Sequence, residues 1–195
     1  MSAVADPIAA DPSPRKLGLW LYLMSDLMVF ASLFATFMIL RHATNGHPPG
    51  AELFDLTFVL IETMLLLVSS FACGVAYLAL KHKKLKHFWA YFAILMLCGV
   101  GFLGMEIYEF VQLYTEGHDW TVSAFMSAFY TLVGVHGFHI LMGLVWAGVL
   151  VWLVLKRGAT TRVVQRFGLF SIYWHFLDLV WIFIFSVVYL LGAIG

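Results

Sequence analysis

Ser171-Ile-Tyr-Trp-His-Phe-Leu-Asp-Leu-Val-Trp-Ile-Phe-Ile-Phe185 is an apolar run interrupted by one imidazole and one carboxyl group. On a helix, Trp174, Asp178 and Trp181 stand at i, i+4 and i+7 on one face, and His175 lies beside that stripe. The apolar character extends over residues 167–193, enough to cross a bilayer. A carboxylate at the bilayer centre costs about 2.5 to 3.5 kcal/mol on insertion scales. The stripe is therefore predicted to face inward, towards polar groups on other helices.

The composition sets the solvent. The chain has 195 residues, 63% hydrophobic and only 11% charged, with a mean hydropathy of +0.93. A water-soluble domain could not bury that much apolar surface, so the chain belongs in a membrane. The 11 basic residues balance the 11 acidic ones, and nothing in the charge points to nucleic acid. Cys73 and Cys98 sit singly in apolar runs and read as small apolar fillers. There is no CxxCH, which excludes a covalently attached c-type haem. Residues 1–16 read as a disordered cytoplasmic tail rather than a cleaved leader, and 17–195 as a single transmembrane domain.

Five spans are expected, at about 17–40, 56–80, 88–114, 121–155 and 167–193. The fourth exceeds what a bilayer needs, which predicts a tilt or an interfacial turn at its end. Of the 11 Lys and Arg residues, all but Arg41 fall on one side of this five-span arrangement, while Glu52, Asp55, Glu116 and Asp119 fall on the other. By the positive-inside rule the N-terminus is cytoplasmic and the C-terminus periplasmic. The expected fold is an all-α integral membrane bundle of five transmembrane helices. Asn45-Gly-His-Pro-Pro-Gly50 reads as a turn-rich outer loop and Glu116-Gly-His-Asp119 as a tight outer turn. Gly99, Gly101 and Gly104, with Gly134, Gly137 and Gly143, are expected to let the third and fourth helices approach closely.

Eight ionisable side chains fall inside the spans: Asp26, Glu62, Glu106, Glu109, His136, His139, His175 and Asp178. With Trp174 and Trp181 they form the expected intramembrane polar core. Glu106 and Glu109, His136 and His139, and His175 and Asp178 are each spaced i, i+3, so each pair shares a helix side. Carboxylate–imidazole hydrogen bonds between the third and fourth helices are the expected way to satisfy them. Four uses of the set compete on spacing alone. The histidines could ligate haem, although a dihaem bundle uses four in facing pairs and only three lie within spans. Glu and His could hold a non-haem metal, although no Glu-x-x-His occurs. They could line a proton or substrate pathway, or they could be a satisfied core that fixes helix register. The abundant aromatic rings alternate with Leu and Val around their helices, which reads as lipid-facing and packing surface rather than a quinone pocket.

The motifs carry a resemblance. Tyr173-Trp-His-Phe-Leu-Asp-Leu-Val-Trp181 resembles the last-helix signature of the haem–copper oxidase subunit III family, YWHFVDVVW. His136-Gly-Phe-His139 is similar to that family's HGLH, Glu106-Ile-Tyr-Glu109 to its acidic motif, and Leu23-Met-Ser-Asp26 to its early Ser-Glu element. The order matches over about residues 17–193, and the length and the LMSDLMVFASLFATF segment look most like the bacterial quinol branch, cytochrome o ubiquinol oxidase.

The resemblance implies a subunit with no catalytic, cofactor-binding or metal-binding residue of its own, in a bacterial inner membrane complex that oxidises ubiquinol, reduces oxygen to water and pumps protons. Haem and copper would lie in subunit I, the main partner, with subunit II and a small subunit IV alongside. Bound phospholipid is implied too, with contacts at Asp26, His139 and Arg166. Two departures accompany it. The mitochondrial form has two further spans ahead of these five, and position 26 is Asp where that form has Glu. The alternatives are a stand-alone proton-coupled transporter using Asp26, Glu62 and the histidines, and a b-type cytochrome.

Overall fold

A computed structural model describes residues 14–44 and 55–190. Residues 1–13, the loop at 45–54 with Glu52, and the end of the last span beyond 190 lie outside the described residues. Five helices are long and apolar enough to cross a membrane, and the described residues contain no strand. They are α1 (Pro14–Leu40), α2 (Leu56–Lys81), α3 (Leu85–Thr115), α4 (Ala124–Arg157) and α5 (Thr161–Ile184), the last continuing as a π-helical turn, Phe185–Leu190.

The ends of these helices follow local chemistry. Asp55 caps α2 by accepting from the amides of Thr57 (2.9 Å) and Phe58 (3.4 Å), and Ser123 caps α4 by accepting from Met126 N–H at 3.1 Å. Gly158, at φ +64°, releases the chain from α4. Lys83, at φ +58°, takes the left-handed position after α2 that glycine usually fills. Lys84 N–H then reaches back to Ala79 O at 2.9 Å and closes the turn.

The spans are longer than hydropathy indicated. The α1 helix begins at Pro14, a residue whose missing N–H costs nothing in a first turn, so Arg15 and Lys16 are helical rather than part of a tail. Likewise α3 starts at Leu85, and α5 at Thr161 rather than near 167. The fourth span is one continuous helix of 34 residues that starts at Ala124, after an outer turn that holds Trp120 and Thr121. At 1.5 Å per residue it measures about 51 Å, well beyond the hydrocarbon core. Its basic end carries an interfacial anchor, with Lys156 Nζ 4.6 Å from the centroid of the exposed Trp152 ring.

In the bundle, α5 is central. It packs on α2, α4 and more lightly α1, while α2 and α3 form a tight antiparallel hairpin and α1 leans chiefly on α4. Many aromatic rings are core rather than lipid-facing. Phe88, Phe167, Phe170 and Trp174 form a chain of contacts with centroid distances of 5.5 to 5.6 Å. Of the six glycines proposed to admit a close helix, three are closely covered, and in each case by a side chain. A Cβ on Gly99 would come 2.9 Å from Leu144 and on Gly143 2.7 Å from Trp174, and on Gly137 it would overlap the Glu106 carboxyl. Gly104 has open space before it.

Candidate functional site

The polar residues do not form one site. They divide into three groups, each at a different helix junction.

The first lies between α1 and α4. His139 Nδ1 is 2.6 Å from the carbonyl of Val135, one turn back, and its Nε2 is 3.1 Å from Asp26 Oδ1. With Nδ1–H donating to that carbonyl, Nε2 meets the carboxyl group either as acceptor of its proton or as an imidazolium donor, so one proton is held between the two groups. Tyr173 O–H from α5 donates to His139 O at 2.9 Å, and the Phe30 ring packs 5.5 Å from the imidazole. Asp26 Oδ2 is buried without a protein partner.

The second joins α2 to α5. The indole of Trp174 donates to Ser69 Oγ at 3.0 Å, that of Trp181 donates to Thr63 Oγ1 at 3.1 Å, and Ser70 Oγ shares a hydrogen bond of 2.6 Å with His175 Nδ1. The two indole pairs run in opposite directions along the two chains, as an antiparallel helix pair must. The inward stripe is therefore as expected, with Trp174 and Trp181 buried and Asp178 only 8% exposed. His175 is not interior, since its ring is exposed beyond the Ser70 contact and its Nε2 lies over Gly74.

The third sits towards the acidic end, where α2, α3 and the π-turn meet. Glu62, Glu106 and Glu109 are all buried, and Glu109 Oε2 accepts from Tyr189 O–H at 2.9 Å. The π-turn carries Val188 and Tyr189, both buried, and holds the Tyr189 phenol against Glu109. Both oxygens of Glu62 and one of Glu106 have no protein partner, nor has either nitrogen of His136. The His136 ring instead stacks on Trp181, 5.2 Å between centroids at 30°, with the edge of Phe102 against it.

One expectation is thereby corrected. The Glu106/Glu109 pair does not hydrogen-bond the His136/His139 pair. Gly137 removes the side chain that would separate α3 from α4, so Glu106 is packed onto α4 backbone, and a helix face that serves Trp181 with His136 serves Asp26 with His139. Arg166, expected as a phosphate contact on the inner side, is exposed near the start of α5, while Asp26 and His139 lie mid-helix. Sequence reasoning also passed over Thr63, Ser69, Ser70 and Tyr189. The signal was present: a hydroxyl spacing of six along α2 answers the Trp spacing of seven along α5. Among the described residues no three His, Cys, Asp or Glu side chains converge as a metal ion requires. The three span histidines are turned to Asp26, to Trp181 and to Ser70, never towards each other across a haem-sized gap.

Outside the spans, Asp119 shapes the turn before α4. It accepts from Thr121 N–H at 2.7 Å and from the Thr121 hydroxyl, and these bonds hold its carboxyl below the usual carboxylate range.

A five-span α-helical membrane bundle whose buried acids and imidazoles are spent on helix junctions defines an integral membrane subunit that fits the resemblance in its motifs. Residues 12–193 match the cytochrome c oxidase subunit III family, and the chain belongs to that family. It is 49% identical over 181 residues to cytochrome c oxidase subunit 3 of Bacillus sp. (strain PS3), covering 93% of this chain and 87% of the relative. It is 48% identical over 178 residues to cytochrome bo(3) ubiquinol oxidase subunit 3 of Pseudomonas aeruginosa, covering 91% and 85%. Quinol oxidase subunit 3 of Bacillus subtilis is 44% identical over 180 residues, covering 92% and 88%. With its membrane-crossing helices and bacterial relatives, it is a multi-pass protein of the bacterial inner membrane.

Proposed function

We propose that this chain is the subunit III of a proton-pumping respiratory oxidase that takes electrons from ubiquinol, and that it contributes packing and stability rather than a redox centre. The match over residues 12–193 carries this reading. The division of the histidines among three helix junctions supports it, because each imidazole already has a structural role. Haem and copper then belong to a subunit I seated against this bundle, with subunit II and a small subunit IV completing the complex. The Asp26–His139 pair is proposed to stand beside bound phospholipid. Arg166, separate from that pair, serves as an inner-leaflet phosphate contact of its own. The N-terminus is cytoplasmic, as the basic end requires.

A second donor has a specific observation behind it, since relatives named for cytochrome c and for ubiquinol are 49% and 48% identical. One preparation tests both. The complex purified through a tag on this chain is expected to show haem bands and copper, and to consume oxygen with ubiquinol but not with reduced cytochrome c. Oxygen consumption with cytochrome c alone would move the chain to the other donor class. A tagged chain that brings down no haem would refute the subunit reading.

A further inference from the structure

At the basic end, the α2–α3 hairpin lines an open, shallow concavity of about 300 Å³. Val75 and Leu78 of α2 and Tyr91 of α3 wall it, and His82, Lys84 and His87 stand at its rim. The turn that presents this rim is shaped by the left-handed Lys83, and Lys81, Lys83 and Lys86 lie in the same stretch of chain. His82 Nδ1–H donates back to Leu78 O at 2.8 Å, which pins the ring and leaves Nε2 for another partner. Among the described residues, the segments at this end of the bundle contain no Asp or Glu. The site is thus cationic above and apolar below.

A second open depression, about 270 Å³, lies higher on α2 and is lined only by apolar residues from Leu60 to Val68. The two share a face. At 3.6 residues per turn, Leu60, Met64, Val68, Val75, Leu78 and His82 stay within about 80° of each other around the α2 axis. Phe71, 70% exposed, lies on the same strip between them. On the α3 side Gly101 packs against Leu65, its Cβ position 3.7 Å from that side chain, and beyond it Gly104 has open space before it. The ten residues from Leu78 back to Val68 rise about 15 Å. One leaflet supplies about the same depth of hydrocarbon.

We propose that this face of the hairpin is a binding site for an anionic phospholipid of the inner leaflet, its phosphodiester held by His82, Lys84 and His87 and one acyl chain lying along α2 from Leu78 to Val68. Charge complementarity at the rim and a wholly apolar lane of leaflet depth below it select a lipid over a soluble anion. The site is separate from the Asp26–His139 pair, and its only debt to the functional reading is that the basic end faces the cytoplasm.

The test uses the complex purified through a tag on this chain, exchanged into detergent with added phosphatidylglycerol, and read by native mass spectrometry. The wild type is expected to retain phosphatidylglycerol. The triple variant His82→Gln, Lys84→Gln, His87→Gln and the lane-filling Val75→Phe are each expected to retain at least threefold less. Lys156→Gln with Arg157→Gln, in the other basic loop, should retain it as the wild type does. Unchanged retention in either the rim or the lane variant overturns the proposal, as does displacement of the lipid by excess inorganic phosphate. Haem content per complex reports assembly independently, and where the triple variant fails to assemble, Lys84→Gln alone is scored by the same criterion. A photoreactive side chain placed at Leu78 is expected to add the mass of phosphatidylglycerol. An adduct with a neighbouring protein chain would show that this face is an interface instead, and would overturn the lipid assignment.

Discussion

At the scale of single residues, the α2–α5 junction works by supplying each buried indole donor with a hydroxyl acceptor. Ser69 Oγ accepts from the Trp174 indole and donates to Leu95 O at 3.2 Å, so removing the hydroxyl strands an indole N–H in apolar surroundings and takes a donor from that carbonyl. Ser69→Ala is expected to cost about 1 kcal/mol. A double-mutant cycle with Trp174→Phe should recover a coupling of about 0.5 to 1.5 kcal/mol in detergent unfolding of the complex. No coupling would mean that the indole finds another partner. Gly137 has a different role, because Glu106 occupies the space of its missing side chain. Gly137→Ala should destabilise by about 1 to 3 kcal/mol through overpacking. Adding Glu106→Ala, which vacates that space, should restore most of the loss, and additivity of the two changes would refute the contact. Asp119 gives an acid-sensitive turn. Its folded carboxyl titrates below the unfolded value of about 3.9, so its contribution is complete at higher pH and is lost as pH falls through the lower folded value. Hydrogen exchange at the Thr121 amide is therefore expected to stay slow at pH 5 and to accelerate only below about pH 4. Asp119→Asn, which keeps an acceptor oxygen but no charge, should abolish that acceleration.

Among the elements, α5 decides how the others meet. One of its faces gives Trp174 and Trp181 to hydroxyls of α2, and its π-turn gives Tyr189 to Glu109 of α3. The π-turn is a change of winding with a consequence, since it places a phenol opposite a buried carboxyl at the end of the helix. Tyr189→Phe removes that donor while keeping the ring that fills the space. The expected result is a complex that assembles with normal haem content but whose α3–α5 contact near Glu109 shows faster hydrogen exchange. Unaltered exchange there would mean that the hydroxyl is dispensable. Asp178, by contrast, is not what orients Trp174, because that indole is bonded to Ser69. Asp178→Leu should therefore leave the Trp174 contact intact and act through its own helix junction.

For the whole molecule, the distribution of charge carries the proposed orientation of the bundle. The basic loop after α2 and the basic loop after α4 lie at one end, and the acidic turn around Asp119 lies at the other. In intact inner-membrane vesicles of known sidedness, a cysteine placed at Lys83 should react with an impermeant maleimide only from the cytoplasmic face, and one at Glu116 only from the periplasmic face. Labelling of both from one face would overturn the topology. Long exposed apolar faces on every helix leave room both for lipid and for a partner subunit, which suits a subunit whose role is played inside a complex.

The number of spans, the helical class and the family were legible in the sequence, because each depends on local quantities. Span count follows hydropathy summed over about 20 residues, the sidedness expectation follows where Lys and Arg fall, and the Tyr173–Trp181 run is a contiguous motif. Helix ends were less legible, since Arg15, Lys16 and Arg162 lower the hydropathy of turns that are helical all the same. The inward stripe of α5 was also readable, as it rests on helical periodicity alone. Which acid meets which imidazole was not. Spacing puts Glu106 with Glu109 and His136 with His139, but it says nothing of how one helix is rotated against another. Packing set that rotation: Glu106 fills the gap at Gly137, Trp181 covers His136, and His139 is left to turn across to Asp26 on α1. Periodicity along one helix is a property of its own chain, whereas the partner of a buried side chain depends on the shape of every surface packed around it.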